Sequence, residues 1–136
     1  MRVLLLALLF VLPACAYEDI PACFRTLETQ FYTEKNVMDA LESYYIYQSQ
    51  WVPIWTDLAR RIKDAAPMIR ERARKERRNP LERPFDAKRA KEILLEVQRE
   101  IFVKTLNAWR IWDERTIDGM FLNIQTDNKK RLDECK

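Results

Sequence analysis

A seven-residue repeat of apolar side chains runs through the first half of this chain. Twelve of its fourteen positions, spaced alternately by three and four residues, are apolar. The positions are Phe24, Leu27, Phe31, Glu34, Met38, Leu41, Tyr45, Gln48, Val52, Trp55, Ala59, Ile62, Ala66 and Ile69. This spacing is typical of one face of an α-helix, and a seven-residue period favours left-handed coiled packing against another helix. The pattern therefore predicts an all-α fold.

Two prolines interrupt this first helical arm. A proline inside a helix removes a backbone hydrogen bond and costs about 3 kcal/mol. The apolar repeat keeps its phase through Pro53 and Pro67, so we expect a kink at each of them and not a full break.

The second half of the chain is also helical in pattern, and its apolar face is wide. Asp86 is a good N-cap for a helix that continues to about Leu132, with Gly119 as its weak point. Two neighbouring apolar stripes run along this arm, and one partner helix cannot cover both. The sequence therefore predicts either a third helix, produced by a break at Gly119 or Pro53, or a homodimer.

A basic, proline-containing stretch separates the two arms. Asn79-Pro80, Pro84 and the N-cap at Asp86 end one helix and begin the next. The sequence predicts an arm over residues 22–78, a hinge over 79–86 and an arm over 87–133. The fold class is a long antiparallel, coiled-coil-like helical hairpin or a small helical bundle. Folding the chain at residue 79 places Trp55 level with Val103.

Residues 1–16 have the pattern of a secretory signal peptide. One positive charge precedes a ten-residue apolar run, and Ala14-Cys15-Ala16 fits the small-residue cleavage pattern. The alternative is a site similar to a bacterial lipobox, with Cys15 acylated. Both readings predict an exported protein, secreted or periplasmic, with one helical domain over residues 17–136.

The three cysteines reduce to one pair under either reading, because Cys15 is removed or acylated. Cys23 and Cys135 then remain in an oxidising compartment, at equal distances from residue 79. The sequence therefore predicts a disulfide that ties together the ends of the hairpin.

Catalysis is disfavoured by what the sequence lacks. The chain has no histidine, which removes the commonest general base and the commonest metal ligand. It also has no glycine-rich phosphate loop and no paired metal-ligand motif. We therefore expect a protein that is not an enzyme and that binds no metal or cofactor.

Three carboxylates, Glu92, Glu96 and Glu100, follow one another at intervals of four residues. That spacing puts them on one helix face, where they would present acidic groups to a metal or a substrate. Lys88 and Arg99 lie within one turn of them, so the pattern favours an exposed face of ion pairs.

Seven aromatic residues fall near one height of the predicted hairpin. They are Tyr44, Tyr45, Trp51, Trp55, Phe102, Trp109 and Trp112. Aromatic rings at helical spacing usually form core, since they bury a large apolar area. The alternative is a cavity that they line, which would suit an apolar ligand.

The stretch before the hinge is strongly basic, and residues 60–91 carry thirteen basic and five acidic side chains. The end of the first arm contains six of these basic residues, Arg70, Arg72, Arg74, Lys75, Arg77 and Arg78. A basic tip favours an acidic protein partner or an anionic membrane surface. Nucleic acid is disfavoured by the export signal and by the absence of aromatic residues in the basic stretch before Phe85. The sequence predicts a non-catalytic binding or scaffold protein; the alternative is a carrier of a small apolar ligand.

Overall fold

A computed structural model describes residues 22–76 and 87–135 of the chain. In these two segments the protein forms five α-helices and no strand. They are α1 (Ala22–Gln30), α2 (Glu34–Ser43), α3 (Gln48–Glu76), α4 (Ala87–Ala108) and α5 (Glu114–Glu134). The all-α prediction is confirmed. The predicted signal peptide, with Cys15, and the predicted hinge lie outside the described residues.

The helices form four antiparallel columns. α1 and α2 lie end to end as one column beside α5. Two contacts show this placement: the Cys23–Cys135 bond, and the hydrogen bond between Asn128 and the carbonyl of Phe31. α3 and α4 form the other close pair, each also packed against a neighbouring column. Short connections between antiparallel helices are typical of up-and-down bundles. The architecture is thus the small bundle that the sequence left open, and neither predicted arm is one continuous helix.

The first column is broken between α1 and α2 because Thr33 caps a new helix. The Thr33 hydroxyl accepts from the backbone N–H of Asn36, and the Asn36 side chain accepts from the N–H of Thr33. This reciprocal pair is a capping box, which satisfies two donors at a helix start. Phe31 and Tyr32, the residues of the break, are buried.

Side chains from other columns satisfy the carbonyl groups that end α1. The Gln98 amide of α4 donates to the carbonyl of Glu28. From α5, Arg131 donates to the carbonyl of Gln30 and Asn128 to that of Phe31. The last carbonyls of a helix have no partner within it, so these donors compensate for the break.

The other two breaks are helix ends of one type, the Schellman motif. After α2, the N–H of Ile46 donates to the carbonyl of Leu41, and Tyr45 has a φ of 60°. After α4, the N–H of Ile111 donates to the carbonyl of Leu106, and a left-handed residue again stands between them. Each leucine is fully buried and each isoleucine packs on the core, which is the apolar contact that accompanies this motif.

The expected break at Gly119 or Pro53 is wrong, because α5 runs through the first and α3 through the second. The second arm breaks at Trp109–Asp113 instead. Pro67 also lies inside α3, and the kinks at the two prolines stay predictions.

The wide apolar face of the second arm is covered within the chain. Ile117, Met120 and Ile124 of α5 are buried in the same core as Phe102 and Leu106 of α4. The predicted homodimer therefore stays a prediction without the argument that first motivated it.

The register between α3 and α4 differs from the predicted one. The Trp109 indole donates to the Asp57 carboxylate at 3.3 Å, whereas folding at residue 79 would place Trp109 about two turns earlier along α3. The two helices therefore meet farther along the chain than the cysteine symmetry indicates.

Gly119 has a packing function that we expect a double-mutant cycle to reveal. A Cβ at this position would overlap the Tyr44 hydroxyl and lie 2.9 Å from its ring carbon Cε1. In the native protein, Gly119→Ala should lower the free energy of unfolding by about 1 kcal/mol, because displacing Tyr44 costs more than the helix propensity gained. In a Tyr44→Ala background the same change should raise it by up to about 1 kcal/mol. Urea unfolding of the four proteins measures both; equal effects in the two backgrounds would contradict this role.

Candidate binding sites

The buried aromatic cluster lies at the break between α1 and α2. Phe102 stacks on Tyr32 with ring centroids 5.6 Å apart, and Phe121 lies 6.2 Å from Phe102. Phe31 packs edge-on against Tyr32 and stacks on Phe121. Of the seven aromatic residues singled out in the sequence, Phe102 is the one found in this cluster. It is fully buried, in a position typical of core.

The Tyr32 hydroxyl closes a polar link inside this apolar cluster. It donates to the backbone carbonyl of Gln98, while the Gln98 side chain donates to the carbonyl of Glu28. Burial raises the pKa of the Tyr32 phenol well above its usual value, so the group is a neutral donor. Such a link fixes α1 against α4, because breaking either bond would leave a buried donor and a buried carbonyl without a partner; the Gln98 side-chain oxygen has none among the described residues.

Four exposed side chains form a surface that we call the aromatic end. They are Tyr45, Tyr47, Val52 and Trp112, which lie in or next to the loops α2–α3 and α4–α5. The Tyr44–Gly119 contact shows that both loops are at the same end of the bundle. Among the described residues six large hydrophobic side chains are exposed, so four of the six are concentrated here. The predicted core role of Tyr45 fails, since its side chain is 93% exposed.

Two indoles form hydrogen bonds at the aromatic end, that of Trp112 and that of the neighbouring Trp51. Trp51 donates to the carbonyl of Ile46 at 2.9 Å, and Trp112 donates to the carbonyl of Asn107 at 3.2 Å. Each bond ties a ring to the helix end beside it. Both loops of the aromatic end are therefore braced by an indole hydrogen bond.

A groove continues from the aromatic end between α3 and α4. Its volume is about 690 Å³, and Val52, Pro53 and Trp109 form its apolar part. Asp57 lies in it and accepts from Arg60 at 2.6 Å and from Arg61 at 3.3 Å. Partial burial acts to raise the pKa of Asp57, but these two arginines and the Trp109 indole outweigh it and lower that pKa. The carboxylate is thus a charged, fixed acceptor.

A second cleft lies over the break between α1 and α2, facing α3. Its volume is about 390 Å³. The residues that line it are Thr29, Gln30, Tyr32, Thr33, Trp55, Ala59, Ile62 and Arg131. Of the seven aromatic residues that the sequence suggested as core or cavity lining, Trp55 is the one that lines this cleft. Thus the structure does not bring the seven predicted aromatic residues to one place.

The basic segment is described only in part. Arg72 is half-buried, and its guanidinium pairs with both carboxylate oxygens of Glu100 at 3.1 and 3.3 Å. The side chains of Arg70, Arg74 and Lys75 lie outside the described residues, as do Arg77 and Arg78 altogether.

The carboxylate face of α4 is a face of ion pairs, as predicted. Its partners differ from those expected: Arg89 pairs with Glu92 and Glu96, and Glu100 pairs with Arg72. Arg99 instead reaches α5, where it pairs with Asp118 at 2.6 Å. Within residues 22–76 and 87–135, no three cysteine or acidic side chains are grouped so that they would hold a metal ion.

None of the helices in the described segments combines the length and the apolar character that crossing a bilayer requires.

Sequence reasoning missed the polar residues that build the break. Gln98 and Asn128 are buried, and Arg131 is half-buried. In the sequence they look like the exposed polar residues of the same helices. Their role depends on carbonyl groups from another column, so no local pattern marks them.

Comparison with known proteins gave no relative: no family model, curated protein or solved structure matches this chain.

Proposed function

We propose that this protein is a non-catalytic helical binding protein that docks its aromatic end on another protein. The observation that carries the proposal is Tyr45, a fully exposed aromatic residue in the left-handed conformation. Two further features support it: the indole hydrogen bonds that brace the two loops of this end, and the groove that continues from Val52.

Tyr45 is an unfavourable residue for its own helix end. The left-handed position of a Schellman motif favours glycine, since this conformation costs other residues about 1–2 kcal/mol. The Tyr45 side chain is 93% exposed, so packing within the chain does not offset that cost. Local strain without local compensation is a reason to infer function at a site.

The composition of this end suits a protein partner. Trp112 and Tyr45 are exposed, and Arg110 takes the left-handed position of the second loop. Tryptophan, tyrosine and arginine are the residues that contribute most often to the binding energy of interfaces. A membrane surface and a second copy of this chain are the competing occupants.

Tyr45→Gly should make the protein more stable and a weaker binder. The free energy of unfolding is expected to rise by about 1 kcal/mol, because glycine adopts the left-handed conformation without the Cβ penalty. Urea unfolding monitored by circular dichroism measures this. An unchanged or lower stability would show that Tyr45 is compensated inside the chain.

The binding test uses this stabilised variant, so a loss of binding cannot be ascribed to unfolding. A photo-crosslinking residue that replaces Tyr47 in the mature chain identifies the partner. Titration of the purified partner then gives its Kd. Tyr45→Gly with Trp112→Ser should weaken that Kd by about tenfold or more. Leu122→Ser is the matched control, since Leu122 is also exposed but lies in the middle of α5. The proposal fails if both variants bind equally well. It also fails if neutral vesicles or self-association alone accounts for the crosslinks.

The basic segment before the hinge is proposed as a second contact, for an acidic partner or an anionic surface. Arg72 supports this by fixing the segment to α4 through Glu100. Reversing the charges of Arg74, Lys75, Arg77 and Arg78 should abolish binding to anionic liposomes or to an acidic partner at low salt, since each cation near an anionic surface contributes about 1 kcal/mol. Helix content by circular dichroism is the control. Unchanged affinity and unchanged salt dependence would show that the charges are only solvated.

Export stays part of the proposal. The Cys23–Cys135 disulfide supports it, because such bonds persist in oxidising compartments. Cleavage after Ala16 and acylation of Cys15 are distinguished by the mass of the mature chain.

A further inference from the structure

We propose that the cleft over the α1–α2 break binds a small organic acid, with its apolar body in the cleft and its carboxylate on Arg131. This site is separate from the aromatic end, and it gives the carrier alternative a definite ligand class. At about 390 Å³, the cleft has the size of a small-molecule site.

Arg131 supplies a positive charge that the described residues do not neutralise. Its Nη1 donates to the Gln30 carbonyl at 2.9 Å and to the Asn128 amide oxygen at 3.3 Å. Within the described segments it forms no ion pair with a carboxylate, and Nε and Nη2 have no acceptor. The two bonds orient the guanidinium from one edge, which leaves donors for a carboxylate in the geometry that arginine prefers.

Trp55, which also lines the cleft, carries a second donor. The indoles of Trp51, Trp109 and Trp112 each donate to an acceptor in the protein. Trp55, although half-buried against the core, has no acceptor for its indole N–H in the described part of the chain. Partly buried tryptophans normally have one.

The remaining walls are mixed in polarity and carry no negative charge. Tyr32, Ala59 and Ile62 lie on the apolar side, Thr29, Gln30 and Thr33 on the polar side, and the residues that line the cleft include no aspartate or glutamate. Arg131 and Trp55, each with a donor that has no acceptor in the described segments, thus line a partly apolar cleft that carries a single positive charge. An aromatic or aliphatic carboxylate satisfies both features, whereas a neutral apolar ligand would leave the donors unpaired.

The test compares an acid with its neutral isostere. The disulfide-intact mature chain is titrated calorimetrically with 2-naphthoate and with 2-naphthamide, and with decanoate and decanamide as an aliphatic pair. We expect saturable binding of one acid at a single site, with at least about tenfold weaker binding of its amide, because the charge-assisted bond is lost. Absence of saturable binding by all four probes, or equal affinity for an acid and its amide, would overturn the proposal.

Variants locate the site. Arg131→Gln should remove the preference for the acid, and Arg115→Gln, at the other end of the same helix, should leave it intact. Because Arg131 also holds the Gln30 carbonyl, Arg131→Lys is the second variant; it keeps the charge and should keep the preference at lower affinity. Trp55→Phe retains a ring but removes the donor, and should weaken the acid more than the amide. Preference retained in Arg131→Gln, with an unchanged melting temperature, would place the acid elsewhere and refute this site. The outcome is independent of Tyr45 and Trp112, so either proposal can fail alone.

Discussion

Replacing Cys23 and Cys135 by serine is expected to lower the free energy of unfolding by about 4–5 kcal/mol. The bridge joins residues 112 positions apart, and in the chain-entropy model a loop of that length confers about this much stability. The loss should be greatest in α1, a nine-residue helix too short to persist without tertiary support.

Two measurements check this expectation. Urea unfolding of the double variant gives the global change, and the native protein under reducing conditions should behave in the same way. Native-state hydrogen exchange should show that α1 opens before α3 and α4. A loss below about 1 kcal/mol would mean that the buried contacts of Phe24 and Leu27 hold α1 without the bridge.

Phe102→Ala should be nearly as damaging, with an expected loss of about 3–5 kcal/mol. Phe102 has no exposed surface, stacks on Tyr32 and packs at a tilt against Phe121, so the substitution removes buried area and leaves a cavity. Thermal and urea unfolding measure the loss. The result also decides between core and ligand lining for this residue, since a residue that lines an open cavity would lose less.

Trp112→Ala is the matched control for Phe102→Ala. Trp112 belongs to the same set of aromatic residues in the sequence, but its side chain is 66% exposed. We expect its removal to change the free energy of unfolding by less than about 0.5 kcal/mol. A loss comparable to that of Phe102→Ala would show that exposure is a poor guide to energy in this bundle.

Helical periodicity was sufficient to predict the fold class but not the helix ends. In the sequence the apolar repeat keeps its phase through residues 44–47. In the structure α2 ends before this segment and α3 begins after it, and α3 buries a different face from the one that the repeat predicts. Ile54 and Leu58 are fully buried in α3, whereas Val52 of the predicted repeat is 62% exposed. A repeat with alternating spacings of three and four residues can continue across a helix end by chance. Tyr45, for example, counts as an apolar position of the repeat although its side chain is exposed.

The helix ends were hidden because they do not use the residue that normally marks them. Glycine is the usual signal for a left-handed cap. Here the caps carry Tyr45 and Arg110, while the single glycine of the chain stands inside α5. The expected break at Gly119 followed the usual rule and was wrong for that reason.

The symmetry of the cysteines was informative for one pair of columns. Cys23–Cys135 and the contact of Phe31 with Asn128 both follow it, and both join the α1–α2 column to α5. The α3–α4 pair follows another register, shown by Asp57 and Trp109. A chain folded once has one register, whereas a bundle of four columns has several, so one pair of cysteines cannot set them all.

Neither proposed site could be assembled from the sequence. The aromatic residues were visible, but their division into core, groove and exposed end depends on where α2 and α4 stop. Arg131 was not visible as a binding residue, since its neighbours in the cleft come from α1 and α3.

The Cys23–Cys135 bond also determines how the protein responds to force. Tension applied to the chain outside the two cysteines passes from one sulfur to the other, and the segment between them carries none of it. With the bond intact, a pull applied outside the two cysteines would therefore leave the bundle between them without load. After reduction the same pull would act on α1 and on the last turn of α5, which are held together there by the carbonyl bonds of Gln30 and Phe31. The bridge thus carries the tension in place of the bundle. A reductant would transfer that tension to α1, which we expect to unfold first.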